Sequence, residues 1–303
     1  MSRALHALPS TALALALLAA SGAAMAQDAA DDADNTLTAG GKLLLTGGVT
    51  QIEGAAGGGL TPWAVIGGYG TRDEIGANAF YTQVNVDDYA LESFGALVGF
   101  YDRVELSFSR QQFDTERVGG ALGLGNGFTF TQDTIGVKVK VAGDAVLDQD
   151  TWLPQIAVGA QYKRNDQAAV LAFVGAKDDS GVDYYVSATK LVLSQSLLLN
   201  GTVRLTKANQ FGILGFGGDR NDSYRAQFEG SVAYLLTRNL AVGAEYRTKP
   251  DNLGIAGEDD AFDVFVAWAP YKHVSLTVAY VDLGNIVIRD DQRGVYASLQ
   301  VGF

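Results

Sequence analysis

Few residues in this chain are equipped for catalysis. Of its two histidines only His273 lies beyond residue 26, and cysteine is absent. Thiol catalysis, disulfide scaffolds and Cys-ligated zinc are excluded. The glycine cluster at 119–127 lacks the G-x-G-x-x-G spacing and a strand-to-helix setting, so no nucleotide site is expected. The clusters Asp219-Arg220-Asn221-Asp222 and Glu258-Asp259-Asp260 offer hard oxygen ligands for Ca²⁺ or for divalent-bridged lipopolysaccharide. Neither has the spacing of a calcium loop, and both read as solvated faces. No metal, cofactor or catalytic residue is predicted. The net charge of −12 disfavours nucleic acid, whose phosphates need a basic surface.

The remaining residues with chemical potential are charges on period-two segments: Glu105, Lys138, Lys140, Lys163, Asp183, Arg204, Arg225, Glu229, Glu245, Arg247 and Asp263. They are nearly balanced, six bases against five acids. Two readings stay open. They line a polar channel without strong ion preference, or they form an electrostatic girder in which acid and base on neighbouring strands tie the structure together. Glu229 against Arg247 fits both.

The elements that carry these charges are strands. Val274, Leu276, Val278 and Tyr280 alternate with Ser275, Thr277 and Ala279. Phe262, Val264, Val266 and Trp268 share one face, and Asp263, Phe265 and Ala267 the other. After residue 41 no apolar run is long enough for a membrane helix. Soluble sandwiches alternate too. Here, however, connections alternate between short turns and long loops, as in outer-membrane barrels. Fourteen strands are read, near 41–50, 61–70, 74–84, 89–101, 103–113, 132–142, 151–163, 182–190, 197–206, 223–235, 239–248, 260–269, 272–281 and 294–303, with twelve as the alternative. The last strand, GVYASLQVGF, ends on Phe303 with an apolar residue at every second position before it. That resembles the C-terminal signature read by the barrel-assembly machinery. Trp152, Trp268 and Phe303 fall at one predicted rim, as an aromatic girdle would.

Arg3, the apolar run Thr11–Ala20 and Ala24-Met25-Ala26 together predict an export signal over residues 1–26. Residues 27–41 are acidic with little apolar content and are expected to form a flexible lead-in. Residues 42–303 are assigned to the barrel. At fourteen strands its backbone diameter would be about 27 Å. Within the long loops 114–131 and 164–181, the glycine-rich 114–131 is the candidate constriction or lid, and the apolar run 166–176 the candidate plug or hydrophobic mouth; an ordinary surface loop is the alternative for both.

The stretches LLLTGGVTQIEGAAGGGLTPWAVIGGYGT (43–71) and SFGALVGFYDRVELSFSRQQFDT (93–115) resemble an uncharacterised Gram-negative family, domain of unknown function 3034. Gly59-Leu60-Thr61-Pro62 with Arg103-Val104-Glu105-Leu106-Ser107 is also similar to the opening strands of exopolysaccharide-linked barrels. The family resemblance implies an exported barrel and supplies no activity or site residues. The fold class expected is all-β, a transmembrane antiparallel up-and-down barrel in the outer membrane. A phospholipase there would need a Ser–His pair facing outward at lipid level. The lone His273, beside the turn at Pro270 on the opposite rim, argues against it. The leading function is a non-enzymatic channel for small solutes, and the alternative is a plugged structural or polymer-export barrel. The partners expected are outer-membrane lipid, lipopolysaccharide, the assembly machinery and a small solute of unassigned identity.

Overall fold

The computed structural model describes residues 42–303. The predicted signal 1–26 and acidic segment 27–41 lie outside them. Alternation is visible throughout the wall. In β5 (Val104–Asp114) every second residue is buried, and the residues between face outward. Such strands need two paired edges and one apolar surround, which a closed barrel in lipid supplies. The wall runs β3 (Ile75–Val86), β4 (Ala90–Phe100), β5, β6 (Thr129–Ala142), β7 (Gln155–Asn165) and β8 (Ser180–Val192). It continues through β9 (Leu197–Thr206), β10 (Arg225–Thr237), β11 (Leu240–Arg247), β12 (Ala261–Tyr271), β13 (Val274–Asp282) and β14 (Arg293–Gly302). These twelve strands pair antiparallel in sequence order, and β14 closes on β3 from Gly294↔Val86 to Gly302↔Asn78. Leu106, Phe108, Ile135, Val137, Val203, Phe228, Val264 and Val278 form part of an exposed apolar outer band. That band marks the barrel as membrane-spanning. Among the described residues no helix is long and apolar enough to cross a membrane.

Both ends of the barrel chain lie at the rim of short turns, which in outer-membrane barrels faces the periplasm. There the Phe303 N–H donates to Ala77 O (2.8 Å), and Phe303 O accepts from Tyr69 and Ala77 N–H. Trp152 stands exposed in the turn before β7, Trp268 points outward near the end of β12, and Phe303 stacks on His273.

The wall has twelve strands, within the expected range, because segments 41–50 and 61–70 are not part of it. The wall begins at Ile75. Residues 42–74 precede it, and 49–68 are buried inside the barrel as a hairpin whose only ladder is β1 (Val49–Thr50) with β2 (Ala56–Gly57). Spacing and tilt at twelve strands give a backbone diameter of about 24 Å. Inward side chains reduce that to roughly the width of a two-stranded ribbon. The ribbon fits because it is glycine-rich. A Cβ at Gly58 would fall 1.9 Å from a Glu245 oxygen, and one at Gly67 would fall 2.5 Å from Leu97.

The outer mouth is also closed, by the loop 207–217 rather than by 114–131 or 164–181. Residues 208–218 are all buried. The two segments singled out by sequence instead carry short helices, α1 (Val118–Ala121) and α2 (Ala168–Phe173). They buttress the mouth: Leu171 of α2 is buried beside Gly215, and Asp178 bridges to Phe216.

The Thr61 hydroxyl hydrogen-bonds the Ser231 hydroxyl of the wall. In a chain without native cysteine, Thr61→Cys with Ser231→Cys should therefore form a disulfide on oxidation, seen as a reducible mobility shift of the folded barrel. Were 61–70 a wall strand, these two positions would not meet and the shift would be absent.

Candidate functional site

A hairpin with almost no ladder of its own must place its backbone hydrogen bonds elsewhere. They go to the charged and hydroxylated wall. Glu105 on β5 accepts from Ala56 N–H (3.0 Å) and Gly67 N–H (2.8 Å). Lys138, its register partner on β6, donates to Ala56 O (2.9 Å) and Val65 O (2.8 Å). The pair is itself joined at 3.0 Å. Two side chains thus stand in for an edge strand to both arms of the hairpin. On the far wall Glu245 accepts from Leu60 N–H (2.7 Å) and from the Thr61 and Ser231 hydroxyls. Pro62 O accepts from Thr202 and Ser187, and Ala64 is bound through both backbone groups by Thr189 and Gln155.

At the hairpin turn, Glu53 is the centre of the charge network. Its carboxylate takes a forked contact from Arg247 (2.9 and 3.1 Å), an ion pair from Lys163 and a 3.5 Å contact from Arg204. Asp183 pairs with Lys163 at 2.6 Å and with Arg204 at 3.3 Å. Glu229 pairs with Arg204 and lies 3.5 Å from Arg247, its register partner. All six side chains are buried. Three cations face three carboxylates, so the cluster is neutral as a whole. In a lumen filled by protein that balance and saturated hydrogen bonding offset the large desolvation cost of each ion.

The outer loop rests on the same groups. Phe211 O accepts from Lys163 (3.0 Å), and the Phe211 ring lies 4.1 Å from the Arg247 guanidinium. Asn165 donates to Ile213 O (2.9 Å). Gln210 N–H donates to Glu258 (2.8 Å), and Lys249 reaches Gln210 and Leu283 O. Between hairpin and loop remains an apolar cavity of about 30 Å³, lined by Ile52, Leu60, Phe113, Phe211 and Tyr296 among others.

Of the eleven charges singled out from sequence, ten are buried in the barrel interior: Glu105, Lys138, Lys140, Lys163, Asp183, Arg204, Glu229, Glu245, Arg247 and Asp263. All but Lys140 contact the hairpin or one another. Lys140 serves the periplasmic rim, where it binds Asp102 (2.7 Å). Asp263 faces Glu245 in register and keeps one oxygen without a hydrogen bond. Arg225 has the inward parity but stands exposed at the outer end of β10. Sequence reasoning missed Glu53 and the loop 207–217. The signal for Glu53 was a lone acid in a stretch too rich in glycine to be a strand interior. Among the described residues no group of three or more His, Cys, Asp or Glu could hold a metal ion.

These features define a membrane-spanning barrel of the outer membrane, sealed from within. The chain belongs to the family described as "Protein of unknown function (DUF3034)", whose model matches residues 46–300. No curated protein matches it. Among solved structures it is similar to the KdgM porin, with 10% identity, a TM-score of 0.49, and 75% of this chain and 99% of that chain covered. It is also similar to outer membrane phospholipase A from Escherichia coli, with 12% identity, a TM-score of 0.41, and 74% and 92% covered. Omp33 of Acinetobacter baumannii shows 9% identity, a TM-score of 0.43, and 77% and 100% covered.

Arg247→Ala leaves Glu53 and Glu229 short of a buried cation and should cost about 3–5 kcal/mol. Arg225→Ala, at an exposed site, should stay within about 0.5 kcal/mol of wild type. Equilibrium unfolding in urea from lipid vesicles compares the two, and equal costs would contradict the assigned network.

Burial pushes the Glu258 carboxyl above its ordinary range and the Lys249 amine below its own, despite their 3.5 Å contact. The folded loop therefore holds the Glu258 proton more tightly than the unfolded chain does. That contribution is complete below the ordinary carboxylate pKa and is lost as pH rises through the raised one. Lys249 acts on the alkaline flank, where its contribution is lost as pH falls through the lowered value. Exchange protection of the Gln210–Leu214 amides, corrected for intrinsic rate, should fall as pH rises from the carboxylate range toward neutrality. Glu258→Gln should flatten that dependence. A flat wild-type profile would overturn the part assigned to Glu258 in holding the outer loop.

Proposed function

We propose that this protein is a gated channel for small polar solutes, closed at rest by its own residues 42–70 and by the outer loop 207–217. The observation that carries the reading is the hairpin 49–68, buried in a lumen whose wall is polar and charged. Ser93, Gln111, Thr134, Gln161, Ser187 and Thr202 line that wall beside the ion pairs. A barrel meant only as a solid strut gains more stability from an apolar filling, since buried ion pairs are often replaced by packed apolar residues without loss. A polar wall instead becomes wettable when the hairpin leaves. The hairpin enters and exits at the periplasmic rim, so withdrawal in that direction clears the bore as far as the outer loop without breaking the wall. The predicted signal peptide and the Phe303 signature supply the route to the membrane in this reading. No catalytic role is assigned.

Single-channel recording in a planar bilayer tests the proposal. The wild-type barrel should be silent. Glu105→Gln with Lys138→Met frees both arms of the hairpin from the wall, and deletion of residues 209–216 lifts the outer seal; the barrel carrying both changes should give conductance steps. In the same barrel carrying the Thr61→Cys and Ser231→Cys pair, oxidation should abolish them. Stable wild-type steps would overturn the closed resting state. Silence of the released, heat-modifiable barrel would overturn the channel.

A further inference from the structure

We propose that Lys163, Arg204 and Arg247 form a binding site for the carboxylate of an anionic solute, occupied at rest by the chain's own Glu53. The proposal deepens the channel reading by naming a solute class. The three cations converge on one carboxylate that does not belong to the wall. Arg247 approaches both of its oxygens in the forked geometry that guanidinium offers carboxylates (2.9 and 3.1 Å). Lys163 contacts one oxygen and Arg204 lies 3.5 Å from the other. With Glu53 in place the cluster is neutral. When the hairpin withdraws, three cations remain against Asp183 and Glu229 only, and the wall keeps one net positive charge. Water entering the bore solvates that charge but does not match the forked, charge-assisted pairing that Arg247 makes with a carboxylate. A solute carboxylate restores that pairing by taking the place of Glu53, and so favours the open state by mass action. A neutral solute of the same shape has nothing to offer these groups. The site lies directly beneath Phe211, whose ring covers Arg247 and whose carbonyl accepts from Lys163. A solute arriving from outside therefore meets it as soon as the outer loop lifts.

Chemical rescue tests this. Glu53→Ala removes the resident carboxylate and leaves room for an added one. In the full-length variant, sodium acetate should raise the heat-modifiability midpoint in a saturable manner. Acetamide in sodium chloride at matched ionic strength should not, and neither should acetate added to wild type. Adding Arg247→Ala to the variant should abolish the acetate response. Equal effects of acetate and acetamide, or no effect of either, would overturn the site. Should the variant fail to fold in chloride, refolding in acetate against acetamide reads the same property. Recovery in acetate alone supports the site, and failure in both overturns it. Conductance of the barrel with both seals released, read beside the acetate response of Glu53→Ala, separates the two proposals. Acetate stabilisation with a silent barrel keeps the site and removes the channel, whereas a conducting barrel with no acetate response does the reverse.

Discussion

A closed twelve-stranded wall fixes how much space it encloses, and that space must be either wet or filled. At about 24 Å across the backbone, inward side chains alone do not meet in the middle. The chain fills the remainder with its own N-terminal hairpin, and the inner faces of the strands follow from that choice. A hairpin in so narrow a bore cannot carry large side chains on every face, hence the glycines at 57, 58, 59 and 67. Nor does it form a full ladder, so its N–H and C=O groups must be met by the wall. Glu105 and Lys138 meet four of them.

This division of labour explains the balance of lumen charges. On a dry interior an isolated ion is prohibitive, and a pair alone is close to neutral in its contribution. The ions here do more than pair, because each also satisfies backbone groups or a second ion. Of the two alternatives the sequence leaves open, a polar channel lining and an electrostatic girder, the resting geometry is that of the girder. Its missing strut, Glu53, comes from the hairpin and not from a neighbouring strand. The polar lining of a channel is the same set of residues once the hairpin is gone.

The wall was legible in the sequence because period-two alternation is a direct record of lipid on one face and a polar interior on the other. From β5 onward the strands fall close to where that alternation places them. The misread part is residues 41–70, where Leu43–Leu45, Val49 and Trp63–Ile66 carry apolar content like that of wall strands. Leu43–Leu45 lie outside the buried stretch, and Val49 and Trp63–Ile66 are buried inside the barrel, where they face no lipid. Period two does not distinguish the two situations, but glycine density does, because a membrane strand with three consecutive glycines loses packing on both faces. The loop 207–217 was illegible for a related reason. Phe211, Ile213 and Leu214 are apolar in a segment flanked by long-loop residues, and only tertiary geometry tells a mouth seal from a surface loop. The two apolar or glycine-rich segments that sequence favoured for that role, 114–131 and 164–181, lie around the seal.

The two seals are physically joined. Arg247 directs its fork at Glu53 and its planar face at Phe211, and Lys163 donates to Glu53 and to the Phe211 carbonyl. Lifting the outer loop exposes to water the cations that hold the hairpin, and exposed ion pairs are worth far less than buried ones in a fixed network. Withdrawing the hairpin removes the carboxylate that holds the Arg247 fork in place, and with it the fixed surface on which Phe211 rests. Each seal therefore contributes to the free energy of the other, as expected for groups that share partners. A barrel closed in this way resists opening from either side alone and yields when both seals are engaged, or when a third party takes over the cations that they share.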